Sequence, residues 1–293
     1  MLLRLLFLFC LCAVSACSNG DPEAEVICLL ETCGGDDDDG DDDDGDDGDG
    51  GDDEDEPSTI TISATDDSIG QLIGNIDDAN YNPAFQIFTI SAPGLDAQLN
   101  RLFTADYNGI LAMRDPTETH NAYLGQGTGT RVVVYSGGLA GNVQRLAAFG
   151  RRSAAELPLT GSAEFNGDYV GFTPTRRVNG RASLDVDFAA ATISGSITNR
   201  VLRLKPDNTL DAVNPLSTLD LGSATISNAG RFSGATTGGE IVNGQIVWNP
   251  ATGSFAGLIG GATGNEAVGT VSVDHIDTTG GSFQETGGFL ATR

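Results

Sequence analysis

The residues with the most chemistry to offer are two histidines, His120 and His275, and a few paired carboxylates. Asp274-His275-Ile276-Asp277 sets an imidazole between acids, a spacing that could hold a metal or move a proton. A polar triplet of this kind after a strand is more often a solvated turn, and it is read as one here. Asp185 and Asp187 lie two apart, which on a strand places both on one face, as a glycosidase acid pair would require. They stand opposite an apolar row and are read as wetted side chains. His120 stands alone. The chain has no Gly-x-Ser-x-Gly elbow, no phosphate-cradling glycine loop and no cysteine after Cys33. No catalytic residue, metal ligand or cofactor is assigned, and the chain reads as a non-enzyme.

The remaining conspicuous carboxylates are in a tract from Asp36 to Glu56 that holds sixteen acidic residues and almost nothing else but glycine. Hard cations prefer carboxylate oxygens, so calcium is the sharp reading. An EF-hand loop, however, needs unlike residues at fixed positions and a closing glutamate, and this tract has no such register. Diffuse counter-ion binding is the expectation. With no apolar side chain to offset backbone entropy and with like charges repelling, the tract is expected to be a disordered acidic linker. The net charge of −26 belongs mostly to this region, because residues 57–293 carry 21 acidic and 14 basic residues. Those fourteen are scattered and form no basic stripe, so nucleic acid is not an expected partner.

The N-terminus carries one positive charge, Arg4, and an apolar run from Leu5 to Val14 that is too short to span a bilayer. It reads as a signal peptide, residues 1–16. Its end, Val14-Ser15-Ala16-Cys17, resembles the lipobox of bacterial lipoproteins, in which the cysteine sulfur takes a diacylglyceryl group and becomes the mature N-terminus. Lipidation of Cys17 is therefore expected, since two or three acyl chains at about 0.8 kcal/mol per buried CH₂ anchor a protein stably. Ser18, where aspartate would signal inner-membrane retention, makes the outer membrane the expected location. Cys10 and Cys12 leave with the signal, and Cys28 and Cys33 could close a small disulfide loop outside the reducing cytoplasm. Residues 17–56 form the tether, with a typical end-to-end distance of about 35 Å before self-repulsion extends it.

Residues 57–293 are rich in Gly, Thr, Ser, Val and Ile, and no stretch sustains a helical stripe. Alternation is clearest at Arg181 to Phe188, where Ala182, Leu184, Val186 and Phe188 face one way and Arg181, Ser183, Asp185 and Asp187 the other. Further strands are expected at Ala163 to Phe172, Ala191 to Thr198, Thr218 to Ser227, Glu240 to Trp248, Ser254 to Ile259, Gly269 to Asp274 and Ser282 to Leu290. Asn179-Gly180 is read as a turn. The pattern predicts an all-β fold: an antiparallel eight-stranded β-barrel over residues 157–293, preceded by a smaller β-rich, handle-like subdomain over residues 57–156. In the latter, strands are expected at Thr59 to Ala64, Phe85 to Ser91 and Arg131 to Ser136, and a short helix at Gly94 to Phe103. Phe165, Tyr169, Phe172, Phe255 and Phe289 are read as core fillers. The strands lack the apolar rows and aromatic girdles of a membrane-embedded barrel.

Two barrel segments carry a family likeness. Leu157-Pro158-Leu159-Thr160-Gly161-Ser162-Ala163-Glu164-Phe165-Asn166-Gly167, with the hairpin around Val186 to Ile197, is similar to the opening of the β-barrel of transferrin-binding protein B and its lipoprotein relatives. Gly253-Ser254-Phe255-Ala256-Gly257, Glu266-Ala267-Val268-Gly269-Thr270-Val271 and Gly288-Phe289 resemble its closing strands. The chain departs where Leu258-Ile259-Gly260-Gly261 replaces an aromatic-Gly-Pro turn and where Val271 replaces Phe. The resemblance implies a surface lipoprotein that binds a ligand through exposed loops, such as an iron-carrying protein handed to an outer-membrane transporter, with the ligand itself unknown. Candidate contacts are Arg176 and Arg177 in an expected loop from Thr173 to Asn179, and Arg203 and Lys205 in one from Arg200 to Leu216. The rival expectation is a non-catalytic envelope-structural or adhesive lipoprotein.

Overall fold

Strand after strand places apolar side chains on one parity and small or polar ones on the other, and closing those faces produces two β layers and three cores. The computed structural model describes residues 60–63, 70–138, 143–152, 155–211, 216–238, 249–276 and 282–293. The acidic tract, Cys17, Cys28 and Cys33 lie outside them. Nine strands build a sheet: β1 Ile60–Ser63, β2 Gly70–Ile73, β3 Asp78–Asn82, β4 Ile87–Ala92, β5 Leu95–Arg101, β6 Leu111–Arg114, β7 His120–Gln126, β8 Thr130–Gly137 and β9 Gln144–Arg151. Their order is β1-β3-β4-β5-β6-β7-β8-β9-β2, a meander whose last edge is capped by β2. Tyr81, Phe88, Ile90, Leu99, Met113 and Tyr135 fill the core on one side of it.

The expected helix at Gly94 to Phe103 is instead β5, followed by a single 3-10 turn at Phe103–Ala105. Leu95, Leu99 and Leu102 have helical spacing, but Gly94 adopts φ 77° directly after Pro93 and turns the chain back onto β4. Pairing from Ile87↔Asn100 to Ala92↔Leu95 then fixes the segment as a strand.

Eight antiparallel strands close the barrel: β10 Ser162–Phe172, β11 Arg176–Asp187, β12 Thr192–Leu204, β13 Leu219–Thr225, β14 Arg231–Gly238, β15 Asn249–Gly260, β16 Glu266–Ile276 and β17 Ser282–Thr292. Closure comes from β10 pairing with β17, for example Tyr169↔Phe289. One expectation within it is corrected. Asn179-Gly180 is not a turn but lies inside β11, where the register slips between Asn179 and Arg181 as at a β-bulge. The strand after β13 is Arg231–Gly238, whereas Glu240 to Trp248 lies outside the described residues. Phe165, Leu184, Ile197, Leu221, Phe255 and Phe289 are among the inward side chains that fill the barrel.

The third core joins the layers. Tyr123, Val132, Val134 and Phe149 on the sheet meet Val170, Phe172, Leu258 and Val268 on the outer wall of the barrel. Gly288 makes the approach possible, since a Cβ there would sit 2.7 Å from a Val132 methyl and 2.8 Å from one of Val134. Burying eight such side chains contributes on the order of 10 kcal/mol, so sheet and barrel hold together as one body. The wall not covered by the sheet is wet: Arg181, Asp185, Asp187, Asp220 and Ser233 are exposed on it.

Candidate functional site

The junction between sheet and barrel is where this chain concentrates buried polar side chains, and each end of the junction has its own device. At one end Glu266, the first residue of β16, reaches the turn between β7 and β8. Its carboxylate accepts from the Thr128 and Gly129 backbone N–H groups (2.8 and 3.1 Å), from the Thr130 hydroxyl (2.7 Å) and from the Thr128 hydroxyl. Glu266 is 2% exposed. Gly127 lets it in, because a Cβ there would lie 2.3 Å from a carboxylate oxygen. Burial would raise the Glu266 pKa, but the hydrogen bonds from Thr128, Thr130 and Gly129 outweigh it and hold the group below its usual range. The glutamate noted in the closing barrel segment is thus the lock between layers.

A depressed carboxylate pKa means that this lock stabilises the fold fully above the unfolded-state value of about 4.3, and that its contribution fades as pH falls through the lower folded value. Glu266→Gln is expected to cost about 1–3 kcal/mol at neutral pH, since the amide turns donors toward donors. Urea unfolding at pH 7 and pH 4 checks it: the difference between parent and variant should shrink at the lower pH, and an equal difference at both would contradict the charged lock.

At the other end three of the four cations expected in loops are built into strands, while Lys205 lies in the turn just after β12. Thr173–Thr175 is the whole of the first loop, and Arg176 and Arg177 already belong to β11, so the expectation of an exposed loop through Asn179 is corrected. Likewise Arg203 is in β12, which runs to Leu204. Arg176 pairs with Asp211, and Arg203 donates to the Asn208 carbonyl at 3.0 Å. Arg177 is 0% exposed. Its guanidinium donates through Nη2 to Asn121 Oδ1 at 2.6 Å and lies 5.3 Å from the Tyr123 ring centre and 5.6 Å from that of Phe172. Lys205 Nζ donates to Ser136 Oγ (3.1 Å) and the Pro174 carbonyl (3.0 Å). Burial, then the charges of Arg177 and Arg145, bring the Lys205 pKa down to about 8.

Inside the barrel is a third group that sequence reading missed. Glu285, 0% exposed, accepts from Tyr169 Oη at 2.7 Å, pairs with Arg200, and lies 2.9 Å from His275 Nε2. Arg200 also donates to the Ser217 carbonyl at 2.6 Å. Burial would raise the Glu285 pKa, but Arg200, His275 and the Tyr169 hydroxyl together bring it to about 2. His275 is therefore not in a solvated turn: β16 continues through it to Ile276, and the ring points inward at 1% exposure, stacked on Phe283. The signal was parity, since Val271, Val273 and His275 share one face of β16, as Glu285 and Phe289 do on β17.

The other expected candidates stay apart. Asp185 and Asp187 are exposed on the outer wall, the latter capping a turn through the Ala190 N–H (2.9 Å). His120 contacts Tyr135 Oη at 2.5 Å on the sheet. Phe165, Tyr169, Phe255 and Phe289 fill the barrel core, and Phe172 stacks on Tyr123 at 5.0 Å between the layers. Among the described residues, no group of three His, Cys, Asp or Glu side chains could hold a metal.

Solved structures of transferrin-binding protein B are among those similar to this chain. A mutant of that vaccine antigen from Haemophilus parasuis matches 80% of this chain and 45% of its own, with 15% identity and a TM-score of 0.43. The isotype 1 protein from serogroup B Neisseria meningitidis matches 77% of this chain and 43% of its own, at 16% identity and a TM-score of 0.43. An intact transferrin-binding protein B with N and C lobes matches 80% and 46%, at 17% identity and a TM-score of 0.40. The chain thus spans less than half the length of these structures. They belong to the family that the two barrel segments resemble. No family model matches the sequence, and no curated protein does.

Proposed function

We propose that this chain is an outer-membrane lipoprotein, anchored through acylated Cys17, that takes a protein ligand on the outside of its sheet–barrel lobe, as part of iron or solute acquisition. The observation that supports this best is the filling of the barrel. Phe165, Tyr169, Phe255 and Phe289 are fully buried within it, and Glu285, Arg200 and His275 complete its polar part, so the surface rather than a hollow interior is what the lobe offers to a partner. The wet outer wall fits a barrel held beside a membrane rather than inside one. The transferrin-binding proteins are named for their ligand; the class, a protein partner, is carried over here and the ligand is not. Residues 17–56 serve as the tether, and catalysis is not part of the role.

The anchor is tested by growing cells with an alkyne-bearing palmitate. Label should enter the chain and vanish in Cys17→Ala, which should also persist as an uncleaved precursor. Equal labelling of parent and variant would remove the anchor from the account.

A further inference from the structure

The cationic end of the sheet–barrel junction has more positive charge than its surroundings neutralise. Asn121, Ser136 and Arg145 pair side by side across β7, β8 and β9, on the face turned to the barrel. Arg177 and Lys205 come down on this row from β11 and the end of β12. Among the described residues no carboxylate forms an ion pair with Arg145, Arg177 or Lys205. Asp274 acts on Arg145 from a distance, and Arg145 donates to the Gln284 carbonyl at 2.8 Å. Every acceptor these three cations meet is therefore neutral: an amide, a hydroxyl or a backbone carbonyl.

Arg177 makes the deficit plain. It is wholly buried, Nη2 is satisfied by Asn121, Nε has only a 3.5 Å contact with the Lys205 carbonyl, and Nη1 has no hydrogen-bond partner. A buried charge left without a counter-charge is costly, and two aromatic faces offset only part of that cost. Lys205 keeps one ammonium proton uncommitted after its bonds to Ser136 and Pro174. Lys205 and Arg145 are half-buried, so both keep contact with solvent.

We infer that this junction binds a small tetrahedral oxyanion, phosphate or sulfate, between Arg177, Lys205 and Arg145. A guanidinium fork presents paired donors that match such an ion, and the ammonium adds a point charge. The ion bridges strands of both layers and so acts as a pin between sheet and barrel, independently of the ligand-binding role proposed above.

The test uses the mature chain dialysed free of multivalent anions, with sodium phosphate and sodium sulfate titrated calorimetrically against sodium chloride of equal ionic strength. One saturable site per chain is expected for phosphate or sulfate at submillimolar concentration, with a rise in the melting temperature that chloride does not reproduce. Lys205→Met and Arg145→Gln, both at half-buried positions, should each weaken binding about tenfold or more while circular dichroism stays unchanged. Equal effects of chloride and the oxyanions would overturn the site, as would unaltered binding by both variants. No binding by the parent would also overturn the site, and a destabilised Arg177→Met would then show that Asn121 and the aromatic faces alone carry the charge.

Discussion

Glu285→Ala is expected to destabilise the lobe by about 3–5 kcal/mol, because it strands Arg200 as an unpaired charge in the barrel. Arg200 crosses the interior from β12 to reach β17 and has no solvent to fall back on, being 1% exposed. Removing both charges is different. In Arg200→Met with Glu285→Leu, apolar side chains of similar size replace the pair, and most of the lost stability should return. Acid makes the same point without mutation. Glu285 has a folded pKa of about 2 against about 4.5 unfolded. Its contribution is full above pH 4.5 and is lost as pH falls toward 2, a swing on the order of 3 kcal/mol. Chemical unfolding across that range should show a larger loss in the parent than in Glu285→Ala, where only the other depressed carboxylates such as Glu266 still contribute. A single variant costing less than about 1 kcal/mol would contradict an ionised pair.

Phe172→Ala should cost a comparable amount, about 3–5 kcal/mol, with a different consequence. Phe172 stacks on Tyr123 across the junction, and Arg177 and Lys205 lie over its ring. Phe255, equally buried, packs only within the barrel. Truncating Phe255 should lower stability while keeping one cooperative transition. Truncating Phe172 should let the sheet loosen before the barrel, so that amide hydrogen exchange rises in β7 and β8 ahead of β10 to β17. Uniform exchange in Phe172→Ala would show that the layers do not depend on this contact.

These residues show what could be read from the sequence. The barrel strands with large alternating side chains, such as Arg181 to Phe188, were legible because period two is visible wherever one face is apolar and the other charged. β14 was not, since Arg-Phe-Ser-Gly-Ala-Thr-Thr-Gly offers only Phe232 as a large inward side chain, and its strand state comes from pairing with β13 and β15. The helix expected at Gly94 to Phe103 shows a local period losing to a hairpin. The lock at Glu266 and the clusters around Arg177 and Glu285 were illegible for another reason. Each joins residues from strands far apart in sequence, and a buried ion looks like a surface one until its partners are known. From sequence alone Arg177 therefore reads as a loop residue and His275 as a turn residue, where charge is usually solvated.

The central claim is that a rigid, filled lobe is displayed at the cell surface to meet a partner. Protease shaving of intact cells, probed with an antibody to residues 157–293 beside a periplasmic marker, tests it most directly. Loss of the lobe signal while the marker survives is the predicted result; protection of the lobe until the cells are lysed would contradict it and confine the protein to the periplasm.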